Sequence, residues 1–298
     1  MRHRDPLGAL LAVVLVSGCT VSATNDADVD LNQLSEAVRA VEAERLSKRG
    51  LAALDRFQDT WNTRNVATWS RSLHFPHVRP SAGAFALHPT SADYSRAREG
   101  VFEQVIAAGW HRSQWLERNV LHIWEGKMHI AGRYQRLRED GSELTSQQVT
   151  YIVTRQGEEW GIQSRFGTGF ETGDQAAAAE PARAAVEAYF AAFNSMDLEA
   201  WADTMHYPQV RLSLSGLDYW ASRQEFVEGS EPGRLRTWFE TRLDEVEPYQ
   251  VGVNGVNVRV RYSRLNRHGD ALASYDAVYL VTDREGSSAV QARSTYAP

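Results

Sequence analysis

The hexapeptide His74-Phe75-Pro76-His77-Val78-Arg79 returns as His206-Tyr207-Pro208-Gln209-Val210-Arg211, so the chain is one unit written twice. A sequence that repeats over this distance has to fold as two similar domains, each closing a core of its own. Upstream the copies keep an offset of 132, with Trp61-Asn62 answered by Phe193-Asn194 and Trp69 by Trp201. Downstream the offset is 128: Arg133-Tyr134-Gln135-Arg136-Leu137 meets Arg261-Tyr262-Ser263-Arg264-Leu265, and Tyr151-Ile152-Val153-Thr154 meets Tyr279-Leu280-Val281-Thr282. Ten of the 22 positions from 133 to 154 are identical to their partners, and the second copy has lost four residues between 80 and 109. The 298 residues leave each copy roughly 125, enough for an independent core.

The first 19 residues differ in kind from the rest. Arg2 and Arg4 precede an apolar run from Leu7 to Val16, and Val16-Ser17-Gly18-Cys19 closes it, the pattern of a secretion signal too short to span a bilayer. Cys19 is the only cysteine, which excludes an intramolecular disulfide, a thiolate metal cluster and a cysteine nucleophile inside the domains. The segment resembles the lipobox of bacterial lipoproteins, which implies that Cys19 is acylated and anchors the chain outside the cytoplasm, at the outer membrane or cell surface. Thr20, rather than aspartate, follows the cysteine and favours the outer membrane within that pattern. With 43% apolar and 23% charged residues the remainder reads as soluble and globular, and a net charge of -6 without a basic stripe argues against a nucleic-acid partner. The expected organisation is a signal segment over 1–19 and a polar tether with the start of the first helix over 20–44. A first domain over 45–167, a linker over 168–180 and a second domain over 181–298 complete it.

Within the first copy, apolar residues from Leu34 to Trp61 recur at helical spacing, with Gly50 marking a break, and Asn65 opens a short second helix through Leu73. Pro76 ends helical structure, and 78–87 reads as two strands around Ala82-Gly83. Thr90 and Asp93 form a capping box for a helix to about Ala108. Four strands follow, Trp115 to Trp124, Met128 to Leu137, Leu144 to Thr154 and Trp160 to Phe166, separated by glycine turns. Pro181 is placed to open the first helix of the second copy, which repeats the order. Helices first and then a strand meander is an α+β order. This order, with the Trp-Asn or Phe-Asn helix end, the Trp-bearing second helix and the His-aromatic-Pro junction, resembles the nuclear-transport-factor-2-like superfamily, which includes SnoaL-like cyclases and ketosteroid isomerases. The resemblance implies two cone-shaped α+β domains, each with N-terminal helices packed on a strongly curved, mainly antiparallel sheet and a pocket at the open end. It also implies that the two copies pair through their sheets as a pseudo-dimer.

The carboxylate base and acidic hydrogen-bond pair of a ketosteroid isomerase have no counterpart in copy one; in copy two Asp276 beside Tyr275 is the nearest candidate. What the copies share is cationic and aromatic: His74 with His206, Arg79 with Arg211, Trp110 with Trp238, Arg133 with Arg261, and Gln163 and Arg165 with Gln291 and Arg293. Such a set suits an anionic organic ligand, because arginine grips a carboxylate bidentately and tryptophan supplies a flat wall. Alternation places Gln163 and Arg165 on one strand face. The bland alternative makes His74 a helix cap, Trp110 a core residue and the arginines structural ion pairs. Six of the nine histidines lie between 74 and 129, but Pro76 breaks the register of His74 and His77, and no metal or other cofactor is expected. Two functions follow: a membrane-anchored binding or scaffold protein for a small organic ligand, or a lyase, isomerase or hydrolase using His77 or His111 as base. His77 becomes Gln209 and His111 becomes Phe239, so copy one is expected to hold any chemistry.

Overall fold

Each copy keeps the order of elements read from the sequence, although several boundaries move. The computed structural model describes residues 31–81, 84–170, 174–230, 238–253 and 255–297. The signal segment, Cys19, most of the tether and the Ala82-Gly83 turn lie outside the described residues. In copy one, α1 (Leu31–Asn62) and α2 (Val66–Ser70) lead into the paired strands β1 (Leu73–Ser81) and β2 (Ala84–His88). The short helices α3 (Ser91–Ala97) and α4 (Val101–Ala107) precede β3 (Arg112–Trp124), β4 (Lys127–Leu137), β5 (Glu143–Gln156) and β6 (Glu159–Gly167). Copy two repeats this as α5 (Gln175–Ser195), α6 (Leu198–Asp203), β7 (Met205–Leu212), β8 (Leu217–Trp220), α7 (Arg223–Gly229), β9 (Glu240–Gly252), β10 (Gly255–Leu265), β11 (Ala271–Arg284) and β12 (Ser287–Thr295). The sheets have matching orders, β2-β1-β6-β5-β4-β3 and β8-β7-β12-β11-β10-β9. Each has a single parallel pair, β1 with β6 and β7 with β12, in an otherwise antiparallel ladder.

Three local expectations are corrected. Gly50 does not break α1; a Cβ there would meet the Sδ and Cε of Met128 at 2.7 Å, so the glycine lets the helix lie close on β4. The helix capped by Thr90 does accept the Asp93 N–H but ends at Ala97, because Gly100 takes the left-handed conformation (φ 74°) and α4 starts afresh. Pro181 does not open α5. Asp174 caps that helix by accepting from Ala177 N, and alanines 176–179 are strong helix formers, so it begins in the expected linker and carries Pro181 inside. Pro76 and Pro208, likewise, sit within strands, both after cis peptide bonds.

On α1 the buried side chains Leu46, Ala53, Leu54, Phe57 and Trp61 fall on one stripe and pack with Trp69, Tyr94, Phe102 and the inner residues of β4 to β6. Fully burying side chains of this size stabilises by about 1.5–3 kcal/mol each. The recurrent asparagine ends this helix by a double bond to a strand: Asn62 accepts from Ser113 N (2.9 Å) and donates to Ser113 O (3.0 Å). Asn194 does the same with Thr241, at 3.0 and 2.8 Å. Among the described residues no helix is long and apolar enough to cross a membrane.

The copies share a third core, in which Val78, Ile152 and Phe166 of one sheet meet Val210, Leu212, Val278, Leu280 and Ala292 of the other. Polar contacts across this face are reciprocal under the offset of 128. His129 lies 2.9 Å from Ser294 Oγ, and the counterparts Asn257 and Phe166 bond at 2.9 Å. Next to them His122 and His129 touch through Nδ1 atoms 3.0 Å apart, where Asn257 donates to Gln250 at 2.8 Å. Trp124 packs on Tyr296, and their counterparts Gly252 and Thr168 are in contact. When residue i touches j and the counterpart of j touches the counterpart of i, the interface is isologous, which is the signature of a two-fold relation.

Candidate functional site

Copy one holds a cavity of about 290 Å³, bounded by α1, the C-cap of α3, and the inner faces of β4, β5 and β6. Phe57, Trp61 and Trp69 form an aromatic wall, Tyr134 and Tyr151 stand opposite, and Gln58 and Gln147 are among its polar groups. Tyr134 donates its phenol to Gln147 Oε1 at 2.7 Å. Four guanidiniums line the cavity, those of Arg79, Arg98, Arg136 and Arg165, and no carboxylate does among the described residues.

Arg79 and Arg165 stand side by side on the parallel strands β1 and β6, where Val78 is opposite Ser164. Arg165 is 9% exposed; its guanidinium sits 5.0 Å above the Phe57 ring and 5.4 Å from Tyr151, and among the described residues its hydrogen bond is a long one to Tyr151 OH (3.5 Å). Burial first, then repulsion from Arg165, pulls Arg79 down to about 10. Arg98 lies 5.7 Å above the Tyr94 ring and Arg136 lies 5.4 Å from the Trp61 ring. Among the described residues none of the four meets a carboxylate.

Of the residues expected at the site, only Arg79 and Arg165 in copy one and Arg211 and Arg293 in copy two face these cavities. His74 is buried away from the cavity, with Nδ1 3.1 Å from Thr154 Oγ1 and its ring against the Gly161 backbone; burial, then Arg56, depresses it to about 4. His206 makes the same bond to Thr282 at 2.8 Å, so this pair is scaffold. His77 is fully buried, donates from Nδ1 to Ile162 O (3.0 Å) and does not line the cavity. Burial, followed by Arg79, holds it neutral well below the ordinary histidine range. His111 is exposed outside the cavity beside Arg64, which donates to its carbonyl. Trp110 is core, donating to Ser113 Oγ behind Trp61, and Trp238 donates to Thr241 Oγ1 in the same way. Arg133 lies in a separate cleft with Glu117, Glu247 and Arg259 on the side facing copy two, and Arg261 pairs with Asp276. Gln163 and Gln291 fall in β-bulges, because Ile152 is opposite Ser164 while Val153 is opposite Ile162, and β11 with β12 repeats this. The extra residue removes Gln163 from the face of Arg165. Among the described residues no cluster of three histidine, cysteine or acidic side chains could hold a metal.

The equivalent space in copy two measures about 50 Å³. Phe190 replaces Gln58 and packs 5.3 Å from Tyr262 and 5.9 Å from Tyr279, while Thr295 and Ala297 replace Gly167 and Gly169. Arg211, the counterpart of Arg79, is neutralised by Asp218 at 2.6 Å. Asp218 is the cross-strand partner of Arg211, and the cross-strand partner of Arg79 is Ala86. None of these filling or neutralising residues belongs to the set shared by the copies, which is why the repeat alone did not single them out.

The family model described as NTF2-like protein (DUF6841) matches residues 51–166. No curated protein matches the chain. Similar solved structures include an NTF2-like protein with a cystatin-like fold from Novosphingobium aromaticivorans, 15% identical, with 51% of this chain and 96% of that chain covered at a TM-score of 0.39. A ketosteroid isomerase-like protein from Erwinia carotovora atroseptica is 21% identical over 42% of this chain and 97% of its own, at 0.32. An NTF-2 like protein from Shewanella oneidensis is 12% identical over 39% and 97%, at 0.31. The NTF2-like family model thus covers the first copy, and the second repeats its sheet order and its helix caps, so the chain is a tandem of two α+β domains of one architecture.

Proposed function

We propose that the first copy binds a small organic anion with an apolar or aromatic body, and that the second copy is its structural partner. The observation that carries this is the internal comparison at one register: Arg211 faces Asp218, whereas Arg79 faces Ala86 beside a second uncompensated guanidinium, Arg165. A buried cation without a counter-ion is costly, and the ligand supplies the carboxylate that copy two supplies itself. The aromatic wall suits a flat body, and the enclosed volume is that of a small ligand. The alternative of a histidine-dependent enzyme lacks its base, since no histidine lines the cavity among the described residues.

Benzoate is a suitable first probe, measured by isothermal titration calorimetry. Gln58→Phe installs the residue that copy two carries at this position and is expected to abolish binding while leaving the melting temperature within a few degrees. Benzoate binding that survives Gln58→Phe and Arg165→Gln unchanged overturns the assignment.

We also propose, from the leader sequence, that the protein is displayed outside the cytoplasm on a lipid at Cys19. Cys19→Ser is then expected to move it from the membrane to the soluble fraction, and unchanged fractionation refutes the anchor.

A further inference from the structure

We infer that the ligand's anionic head is a tetrahedral dianion, a phosphate or phosphonate monoester of a small apolar or aromatic group, held by Arg79, Arg165 and Arg98. The inference rests on the anion-binding reading above and adds the charge and shape of the head. Arg79 and Arg165 are neighbours on adjacent strands, and Arg98 reaches the same cavity from the C-cap of α3, over the Tyr94 ring. Tyr94 has no exposed surface, and Arg79, Arg165 and Arg98 all lie close enough to act on its hydroxyl. Among the described residues, Nε of Arg165 and Nε of Arg98 are buried without a hydrogen-bond partner. A carboxylate carries one charge and two oxygens, which leaves most of these donors unanswered. A phosphate monoester carries up to two charges and three strong acceptor oxygens.

Copy two keeps Arg165, as Arg293, and alters the rest of the arrangement. Helices α3 and α7 are both seven residues long, with N-caps Thr90 and Ser222 and C-caps Arg98 and Ser230, so Arg98 corresponds to Ser230. On the same helices Tyr94 corresponds to Phe226, which has lost the hydroxyl, and the counterpart of Arg79 already has its carboxylate in Asp218. Where the cavity is closed, the counterpart of Arg98 is a serine and that of Arg79 is neutralised, leaving of the three only Arg293, over the Tyr189 and Trp201 rings; where it is open, the three guanidiniums are kept together. Arg136 stands apart from this group: it lies six residues along β4 from Ile130, whose β5 partner Tyr151 is opposite Arg165. It is therefore placed for the far end of the body rather than the head.

The test compares phenyl phosphate, phenyl sulfate and benzoate by calorimetry on the full chain at pH 7.5 and pH 5.0. Phenyl sulfate has the tetrahedral shape with one charge, and benzoate has the ring with a planar head. The expected result is phenyl phosphate binding at least ~10-fold more tightly than either at pH 7.5, one further charge-assisted pair being enough for that ratio. That preference should shrink at pH 5.0, below the second phosphate pKa of about 6. Arg98→Ser, the residue of copy two, should lower the phosphate-to-sulfate ratio, with circular dichroism confirming the fold. Equal affinities for all three ligands, or a phosphate preference that does not change with pH, overturn the dianion while leaving the anion site intact. No binding of any of the three overturns both readings.

Discussion

Placing a carboxylate opposite Arg79 should close the site by charge alone. Ala86 is the cross-strand partner of Arg79, and the corresponding residues of copy two show the geometry to expect, Arg211 Nε to Asp218 Oδ2 at 2.6 Å. Two unit charges ~4 Å apart at an effective dielectric near 20 attract by about 4 kcal/mol, of which desolvation and partial exposure remove a large part. A net charge-assisted hydrogen bond of about 1.5–3 kcal/mol remains, and it occupies the guanidinium the ligand needs. Ala86→Asp is therefore expected to weaken benzoate binding by roughly 10- to 150-fold. The same substitution should leave the ligand-free protein as stable as before or more so, by up to about 1 kcal/mol, because it relieves the repulsion between Arg79 and Arg165. Ala86→Asn has similar size and no charge, and should bind nearly as well as the parent. Calorimetry and thermal melting with and without benzoate read both effects. Ala86→Asp binding benzoate like the parent would refute the reasoning, as would an equal loss in Ala86→Asn.

The interior imidazoles should make the fold acid-labile. Burial lowers His74 to about 4 and His77 and His129 well below 6.5, so the unfolded chain takes up these protons first as pH falls. Their contribution is full above about pH 6.5 and is lost on the way down to their folded values, on the order of 1 kcal/mol per pH unit for each group titrating. Urea melts between pH 7 and 4.5 should show that slope, and His129→Asn, copying Asn257, should flatten it; a slope unchanged in the variant would clear His129. Asn62→Ala and Asn194→Ala each remove two bonds to a strand backbone, and each should cost about 1–3 kcal/mol, equally in both copies. A cost confined to one of them would contradict their equivalent roles.

The architecture was legible because repetition and periodicity are properties of the chain itself. The strand meander, the Thr90 capping box and the order of helices are all fixed by residues close in sequence. The site was legible only in part, for a physical reason. Residues that both copies share are those that both folds need, and most of them proved to be scaffold: His74 and His206 on Thr154 and Thr282, Trp110 and Trp238 on Ser113 and Thr241. The site is defined by what only one copy has, as in Gln58 against Phe190, Ala86 against Asp218 and Arg98 against Ser230. The exchange of His77 for Gln209 reads as lost proton transfer, yet both side chains donate to the equivalent carbonyls, Ile162 O and Val290 O. Gln163 misled because a bulge shifts the register by one residue, and alternation along a strand cannot reveal it.

Fusion of the copies also changes what the interface can carry. In a two-fold dimer of separate chains any interfacial residue appears twice, so an expensive one costs twice. Here Lys127 appears once, and its counterpart is Gly255. Lys127 is 3% exposed, and its ammonium donates to the carbonyls of Leu212, Ser213 and Thr295 across the interface, with burial and then Arg211 drawing it down to about 7. A second copy of that ammonium would add the same desolvation to the same shared core. The neighbouring positions diverge in the same way, His122 and His129 on one side being answered by Gln250 and Asn257 on the other. The asymmetry of the interface thus has the same cause as the asymmetry of the cavities: once both copies travel in one chain, each position and its counterpart are free to take different residues, and one cone can be closed while the other stays open.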